Sequence, residues 1–432
     1  MKINTTQKLA SWSSYLDKEL LTVVLLLLGL GFIVMTSASV AISERAHATP
    51  SYFMDRQLLF IGMGFVLALI TYQIRMSYWQ SLGVGLIPII FALLVIVLIP
   101  DVGQKINGSR RWIGFGGFNI QVSELAKLVI FLYLAGYMVR HDKKLVTSTS
   151  YKPMLMPLLV LALFGALLLL EPDFGTVVVV FATGLALLFL GGVRLIQLAV
   201  LLLGIIILMI PLLMMGYRGN RVMSFFDPWK DSTGTGYQVT NALMAIGDGG
   251  WFGSGLGGSV QKQFYLPEAH NDFIFAVLAD ELGFIGITIT LGLFGWLVQR
   301  AFVIGFKADK AQQYYGAYVA YAIGFWMGFQ ALFHIGVNLA VLPPKGLTLP
   351  FMSYGGSSML VALTAMGVLM RVHTETEMKL RGVPIEKAPP KKTRRRTTKK
   401  VLKKSPKKVP KRATKKPLKT KPQARRQRRV NV

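Results

Sequence analysis

The chain has 432 residues, of which 53% are hydrophobic, yet its formal net charge is +28. Apolar and basic residues must therefore be segregated along it, which leaves a membrane domain and a separate basic segment rather than one water-soluble globule. Cysteine is absent, and this excludes disulfides, thiolate metal sites and cysteine nucleophiles together.

Residues 1–19 read as a polar N-terminal segment. The first apolar stretch, LLTVVLLLLGLGFIVMTSASVAI from Leu20, is longer than a signal-peptide core and is followed by many more, so it reads as a retained helix. Spans are predicted at residues 20–43, 57–74, 79–99, 124–139, 154–170, 174–191, 195–216, 282–300, 314–341 and 352–370, each roughly the length that crosses a bilayer. An even count puts both termini on one side. RHDKK (140–144), the Arg300/Lys307/Lys310 connection and the basic C-terminal tail share that side, and the positive-inside bias makes it cytoplasmic. The expected fold is an all-α polytopic membrane protein. Ten transmembrane helices occupy residues 20–371, with a large extracytoplasmic loop, 217–281, between the seventh and eighth.

The outer connections carry most of the unusual chemistry. In NGSRRWIGFGGFNIQVSELAKL (107–128), Arg110 and Arg111 stand outside, against the charge bias and next to a Trp. Adjacent guanidinium forks suit an anionic diphosphate, and equally a headgroup anchor at the interface. Glu124 and Lys127 are three apart on one helix face and can pair, either as a structural ion pair or as part of a cavity wall. An acidic EPD turn follows at 171–173.

Within the large loop, RVMSFFDPW (221–229) has the aromatics to lie at the interface, and YQVTNALMAIG (237–247) reads as a short helix. GSGLGG (253–258) fits a dinucleotide fingerprint only by its letters. No βαβ unit surrounds it, so it reads as a flexible turn packed near substrate. In YLPEAHNDFIFAVLADELG (265–283), a helix running from Phe273 to Ile304 would be about 48 Å long, well beyond a hydrocarbon core of about 30 Å. The crossing is therefore expected to start near Leu282, with residues 272–281 as an outer helical turn or two. Asp272 falls at the first position of that segment, where it serves as an N-cap, as a general base towards a substrate hydroxyl, or as both. Glu268 and His270 are placed to tune it or to bind a cation.

GLTLPFMSYGGSS (346–358) enters the last span with small residues and hydroxyls. Ser353 and Ser357 suit either close helix packing or hydrogen bonds to sugar. Residues 372–432 read as a disordered polybasic cytoplasmic tail: from Lys387 onward there are 22 Lys/Arg and no Asp or Glu. Anionic lipid is its expected partner, and specific nucleic-acid binding is not expected.

NGSRRWI, SELAKL, EPDFGT (171–176), DPWKDSTGTGYQ (227–238), GSGLGGSVQK (253–262), LPEAHNDFIFAVLADELG (266–283) and KGLTLPFMSYGGSS (345–358) resemble, in order, the blocks of the SEDS family of bacterial envelope proteins. PEAH and EPDFGT are similar to its FtsW, or division, branch. The resemblance implies a peptidoglycan glycosyltransferase that polymerises lipid II on the outer face of the inner membrane, at the division septum. It also implies an undecaprenyl-linked glycan strand as co-substrate, and a class B penicillin-binding transpeptidase and other divisome membrane proteins as partners. The family's catalytic Asp falls on Asp272, and its Glu and Lys on Glu124 and Lys127. Asn271 stands where the family usually has Thr.

On that reading Asp272 accepts the proton of a sugar hydroxyl. Arg110 and Arg111, with Lys262 and Arg221 in support, neutralise the leaving diphosphate, helped by Mg2+ or Mn2+ and by no organic cofactor. A flippase of the same lipid-linked precursor and a non-catalytic divisome scaffold are the alternative readings. Transport requires matching access from both sides, whereas the polar residues here are almost all external.

Overall fold

The computed structural model describes residues 15–106, 109–115, 118–147, 150–214, 227–343 and 346–383. Arg221 and the basic tail beyond Val383 lie outside the described residues. The helices are α1 (Lys18–His47), α2 (Tyr52–Gln73), α3 (Met76–Leu98), α4 (Val122–Thr147), α5 (Leu155–Leu170), α6 (Phe174–Leu190), α7 (Leu195–Met214), α8 (Tyr237–Asp248), α9 (Ile274–Lys310), α10 (Tyr314–Asn338) and α11 (Gly356–Leu380). Eight are long and apolar enough to cross a membrane, and α6 and the Leu195–Ile207 part of α7 are shorter apolar helices. Each of the ten predicted spans is thus a helix, and α8 is the short one predicted in the outer loop.

Hydrocarbon does not distinguish one apolar helix face from another, so packing is set by close approach and by polar contacts. α2 lies along α11, and α9 along α10. A Cβ at Gly367 of α11 would stand 2.3 Å from the Ala68 carbonyl oxygen of α2, so a glycine is needed there for contact. Leu25, Leu69 and Ile89 are exposed on outward faces, as suits lipid-facing positions. At one end of the bundle, Asp17 caps α1 by accepting from the Leu20 N–H at 2.9 Å. The same carboxylate takes Arg300 of α9 at 2.8 Å and His373 of α11 at 3.2 Å, which ties three helices at the end assigned to the cytoplasm.

Three features differ from or refine the sequence reading. α11 runs to Leu380 with Arg371–Thr376 buried, so the expected tail boundary at residue 372 is too early. Polar residues are accommodated there because Arg371 pairs with Glu375 at 2.7 Å and Glu375 also accepts the Met76 N–H at 3.0 Å. The connection after α3 is also no irregular loop. Strands β1 (Gly103–Ile106), β2 (Ser109–Phe115) and β3 (Phe118–Gln121) form an antiparallel sheet in that order. Its signal in the sequence is a run of β-formers flanked by Asn107–Gly108 and Gly116–Gly117, pairs that favour two-residue hairpins.

The third feature is a break in α9. Gly283 has φ 63° and ψ −161°, which divides the helix into an outer half, Ile274–Leu282, and a crossing that starts at Phe284. Asp280 and Glu281 are accordingly buried in protein rather than set against lipid. A broken helix frees backbone donors and acceptors that are costly to leave unpaired. The glycine-rich turn satisfies them: Ser254 and Gly255 N–H donate to the Asp280 and Glu281 carbonyls at 2.8 and 3.1 Å. Phe284 and Ile285 N–H donate in turn to the carbonyls of Gly250 and Trp251 at 2.9 and 3.3 Å. GSGLGG therefore contributes to a splice across the break. A Cβ at Gly283 would lie 2.4 Å from the Gly253 nitrogen, and the backbone conformation alone disfavours any other residue by about 1–3 kcal/mol. Gly283→Ala is expected to lower the thermal unfolding midpoint in detergent, measured by differential scanning fluorimetry.

Candidate active site

Asp272 sits in the turn that enters the outer half of α9. Glu268 takes a left-handed conformation (φ 56°) and its carbonyl accepts the N–H groups of Asn271 and Phe273 at 3.0 and 3.2 Å, which curls the chain before the helix. The N-cap position falls on Phe273, and the Asp272 side chain caps nothing. The cap comes from another helix: Asn338, at the end of α10, accepts the Ala276 N–H on Oδ1 at 3.1 Å. The Asp272 carboxylate is consequently released from a capping role.

The backbone of this turn is held at three consecutive carbonyls. Tyr354 N–H donates to the His270 oxygen at 3.0 Å, Ser353 Oγ to the Asn271 oxygen at 2.8 Å, and Asn338 Nδ2 to the Asp272 oxygen at 3.1 Å. The 346–349 segment passes over the carboxylate itself, close enough that a Cβ at Gly346 would be 2.8 Å from Asp272 Oδ2. Asp272 remains half-buried at the protein surface. Burial, reinforced by the negative charge of Glu268 and opposed by Arg111, pushes its pKa up to about 7. His270 is buried between Phe53 and Tyr354, with ring centroids at 4.7 and 5.6 Å. Burial lowers its pKa, against the raising effect of Glu268, which favours the neutral imidazole.

The sequence-predicted cations part company in space. Arg111 is the residue skipped in the β1–β2 register, where Gln104 faces Trp112 and Lys105 faces Arg110. Such a bulge re-aims a side chain. Its guanidinium donates to the Glu171 and Pro172 carbonyls at 2.9 and 2.8 Å and stands 3.7 Å from Asp173. The EPD turn is thereby fastened to the sheet, and Arg111 is near enough to Asp272 to lower its pKa. Arg110 makes no ion pair among the described residues and stays half-buried. Lys262, expected beside a diphosphate, is instead buried against Glu281 and Ser37 Oγ, the latter at 2.8 Å. Its charge is used inside the protein because Glu281, in the broken helix, is fully buried.

Glu124 and Lys127 do pair, at 2.8 Å, but deep in the bundle, where Lys127 also donates to Gln330 Oε1 at 2.8 Å and lies over the Trp326 ring. Ser357 Oγ accepts the Gln121 N–H at 2.8 Å and donates to the Asn119 carbonyl at 3.2 Å, so it seals the sheet to α11. Ser353 is buried, whereas Ser357 stays partly exposed with its hydroxyl engaged by main chain. Glu171 is buried with both carboxylate oxygens unpartnered, and burial together with Asp173 pushes its pKa up to about 9, which leaves it a neutral acid. No group of three or more His, Asp or Glu among the described residues is placed to hold a metal ion.

Asn338, His334, Gln330 and Trp326 escaped the sequence reading. They recur every four residues along one face of α10, a polar stripe inside an apolar span, and that spacing is the signal that would have found them. Gln330 Nε2 donates to the Thr348 carbonyl at 2.9 Å, and His334 Nδ1 to the Leu347 carbonyl at 2.6 Å.

The family model FtsW/RodA/SpoVE, described as "Cell cycle protein", matches residues 18–378. A protein of Thioalkalivibrio sulfidiphilus named probable peptidoglycan glycosyltransferase FtsW is 50% identical over 363 residues, 84% of this chain and 90% of its own. One of the same name from Coxiella burnetii is 46% identical over 85% of this chain and 98% of its own. A chain from a structure on the coordination of polymerization and crosslinking by a peptidoglycan synthase complex superposes with a TM-score of 0.68 at 29% identity, covering 84% of this chain and 98% of that one. The crystal structure of the rod shape determining protein RodA of Thermus thermophilus gives 0.60 at 27% identity, over 83% and 96%. This chain is a multi-pass membrane protein and belongs to the FtsW/RodA/SpoVE family of cell cycle proteins.

Proposed function

We propose that this chain is a peptidoglycan glycosyltransferase of the bacterial inner membrane, polymerising lipid II into β1,4-linked glycan strands for the septal wall, with Asp272 as the general base. The observation that carries the reading is the Asp272 carboxylate: free of any cap, half-buried in the turn that enters α9, and with a pKa near 7. A general base works best when its pKa lies near the operating pH.

In the reaction, the 4-hydroxyl oxygen of the incoming sugar forms a bond to the anomeric carbon of the lipid-diphosphate-linked strand. The bond from that carbon to the diphosphate oxygen breaks, and the diphosphate leaves with the electron pair. The hydroxyl proton passes to Asp272, and attack from the opposite face inverts the anomeric centre. Arg110, which makes no ion pair among the described residues, is the cation assigned to the diphosphate, while Arg111 shapes the EPD turn and keeps Asp272 acidic enough to ionise. No step is routed through a metal. The outer position of these groups and the relatives' names support polymerisation over transport, and strand synthesis from lipid II in detergent, where no second compartment exists, tests it.

A class B penicillin-binding transpeptidase is the proposed partner, a reading supported by the likeness to a chain of a peptidoglycan synthase complex; other divisome membrane proteins join it. The charge bias of the connections supports cytoplasmic termini, with the basic tail proposed to meet anionic lipid.

The pH dependence follows from the neighbours of Asp272. Activity requires the ionised form, so kcat/KM is expected to fall as pH drops through about 7. Glu268→Gln removes a charge that raises this pKa and is expected to move the acid limb to lower pH. Arg111→Gln removes one that lowers it and is expected to move the limb to higher pH. Opposite displacements in initial-rate profiles check the assignment; limbs that stay in place in both variants refute it.

A further inference from the structure

We infer that Ser353 and Asn338 are positioning residues for the Asp272 base, acting by pinning the carbonyls on either side of its backbone, and that Ser353 does not bind the sugar. The inference rests on the proposed role of Asp272. Of the three donors to the consecutive carbonyls of residues 270–272, one is a backbone N–H and two are side chains. Only the side chains can be removed by substitution without altering the chain path.

Each side chain makes more than one bond: Ser353 two and Asn338 three. Ser353 Oγ donates to the Asn271 carbonyl and accepts the Leu349 N–H at 2.8 Å, so one hydroxyl joins the Asp272 turn to the segment that covers the carboxylate. Asn338 donates to the Asp272 carbonyl, accepts the Ala276 N–H, and donates also to the His334 carbonyl one turn back at 2.9 Å. Ser353 and Asn338 are buried, with 3% and 0% exposure, so neither reaches a substrate in this arrangement. The rungs below continue the pattern: His334 and Gln330 hold Leu347 and Thr348, next to Gly346 at the carboxylate. One face of α10 thus sets both walls of the base's niche.

The physical purpose is precision. A half-buried aspartate on a short turn would sample several positions, and displacement of a catalytic group by about 1 Å can cost on the order of 10²-fold in rate. Fixing the carbonyls on both sides of the Asp272 N–H, together with the covering Gly346, restricts the turn before substrate arrives. A positioning loss appears in kcat and not in KM, because substrate binding is untouched.

The test uses the full-length chain co-purified with its transpeptidase partner. Lipid II polymerisation is measured for Ser353→Ala, Ser353→Thr, Asn338→Ala and Asp272→Asn, with rates normalised to monodisperse complex and unfolding midpoints recorded beside them. The expected result is a roughly tenfold fall in kcat for Ser353→Ala and Asn338→Ala with KM within about twofold, and recovery of most activity in Ser353→Thr, which keeps the hydroxyl. A rise in KM at constant kcat for Ser353→Ala would make it a substrate ligand and overturn the inference. So would full specific activity in both alanine variants while Asp272→Asn is inactive. If Asp272→Asn itself retains activity, the base assignment fails, a result distinguishable from the other two. Should Asn338→Ala yield no monodisperse complex, the Ser353→Ala and Ser353→Thr pair decides the question alone.

Discussion

Asp272→Asn is expected to reduce lipid II polymerisation by 10² to 10⁴-fold, the usual contribution of a positioned general base. The substitution is nearly isosteric, and the side chain caps no helix. The neighbouring carbonyl bonds from Tyr354, Ser353 and Asn338 are all to main chain and survive it. Fold and complex formation are therefore expected to persist, with an unfolding midpoint at or above that of the parent, since a group whose ionisation is opposed by burial is replaced by a neutral one. The measurement is glycan strand length and yield on gels from purified complex. Strand synthesis at near parental rate would remove Asp272 from the chemistry. Loss of polymerisation with the complex intact would exclude a purely scaffolding role.

Lys262→Met is expected to destabilise the protein by about 3–5 kcal/mol, because removing one partner of a buried ion pair strands the other charge. Here the stranded group is Glu281, with no exposure at all and its second oxygen already unpartnered. Glu281 belongs to the outer half of broken α9, so the effect is expected at the splice formed with the 250–255 turn. The paired variant Lys262→Met/Glu281→Gln is expected to recover most of the loss, since a neutral pair carries no buried charge. Thermal unfolding of the three proteins in detergent gives the comparison. If Lys262→Met instead keeps its midpoint and raises KM for lipid II, the lysine serves the diphosphate and the buried pairing is incidental.

These two residues show how unevenly the site was legible. Asp272 is legible as a candidate because an acid just before a span-length apolar run reads as an N-cap or a general base, and the helix-length argument places the crossing after it. The break at Gly283 bears that argument out in geometry. The role of Lys262 is not legible because charge alone does not reveal its partner: Glu281 lies 19 positions away and Ser37 far earlier in the chain. Arg110 and Arg111 looked equivalent as neighbours. A one-residue bulge, invisible in composition, sends the second to the EPD turn. Asn338 and its stripe are hard to read because a few polar residues in a long apolar helix do not lower its hydropathy enough to mark them.

By itself the sequence determined where the apolar helices lie and that the acid precedes one of them, because both depend on the transfer of residues between water and hydrocarbon, which is a local property of a segment. Only the tertiary structure decided which charges are spent internally and which stay available, and what holds the Asp272 turn. Those outcomes depend on distances between segments remote in the chain, and in a low-dielectric bundle a difference of a few ångströms separates a buried partner from a free one.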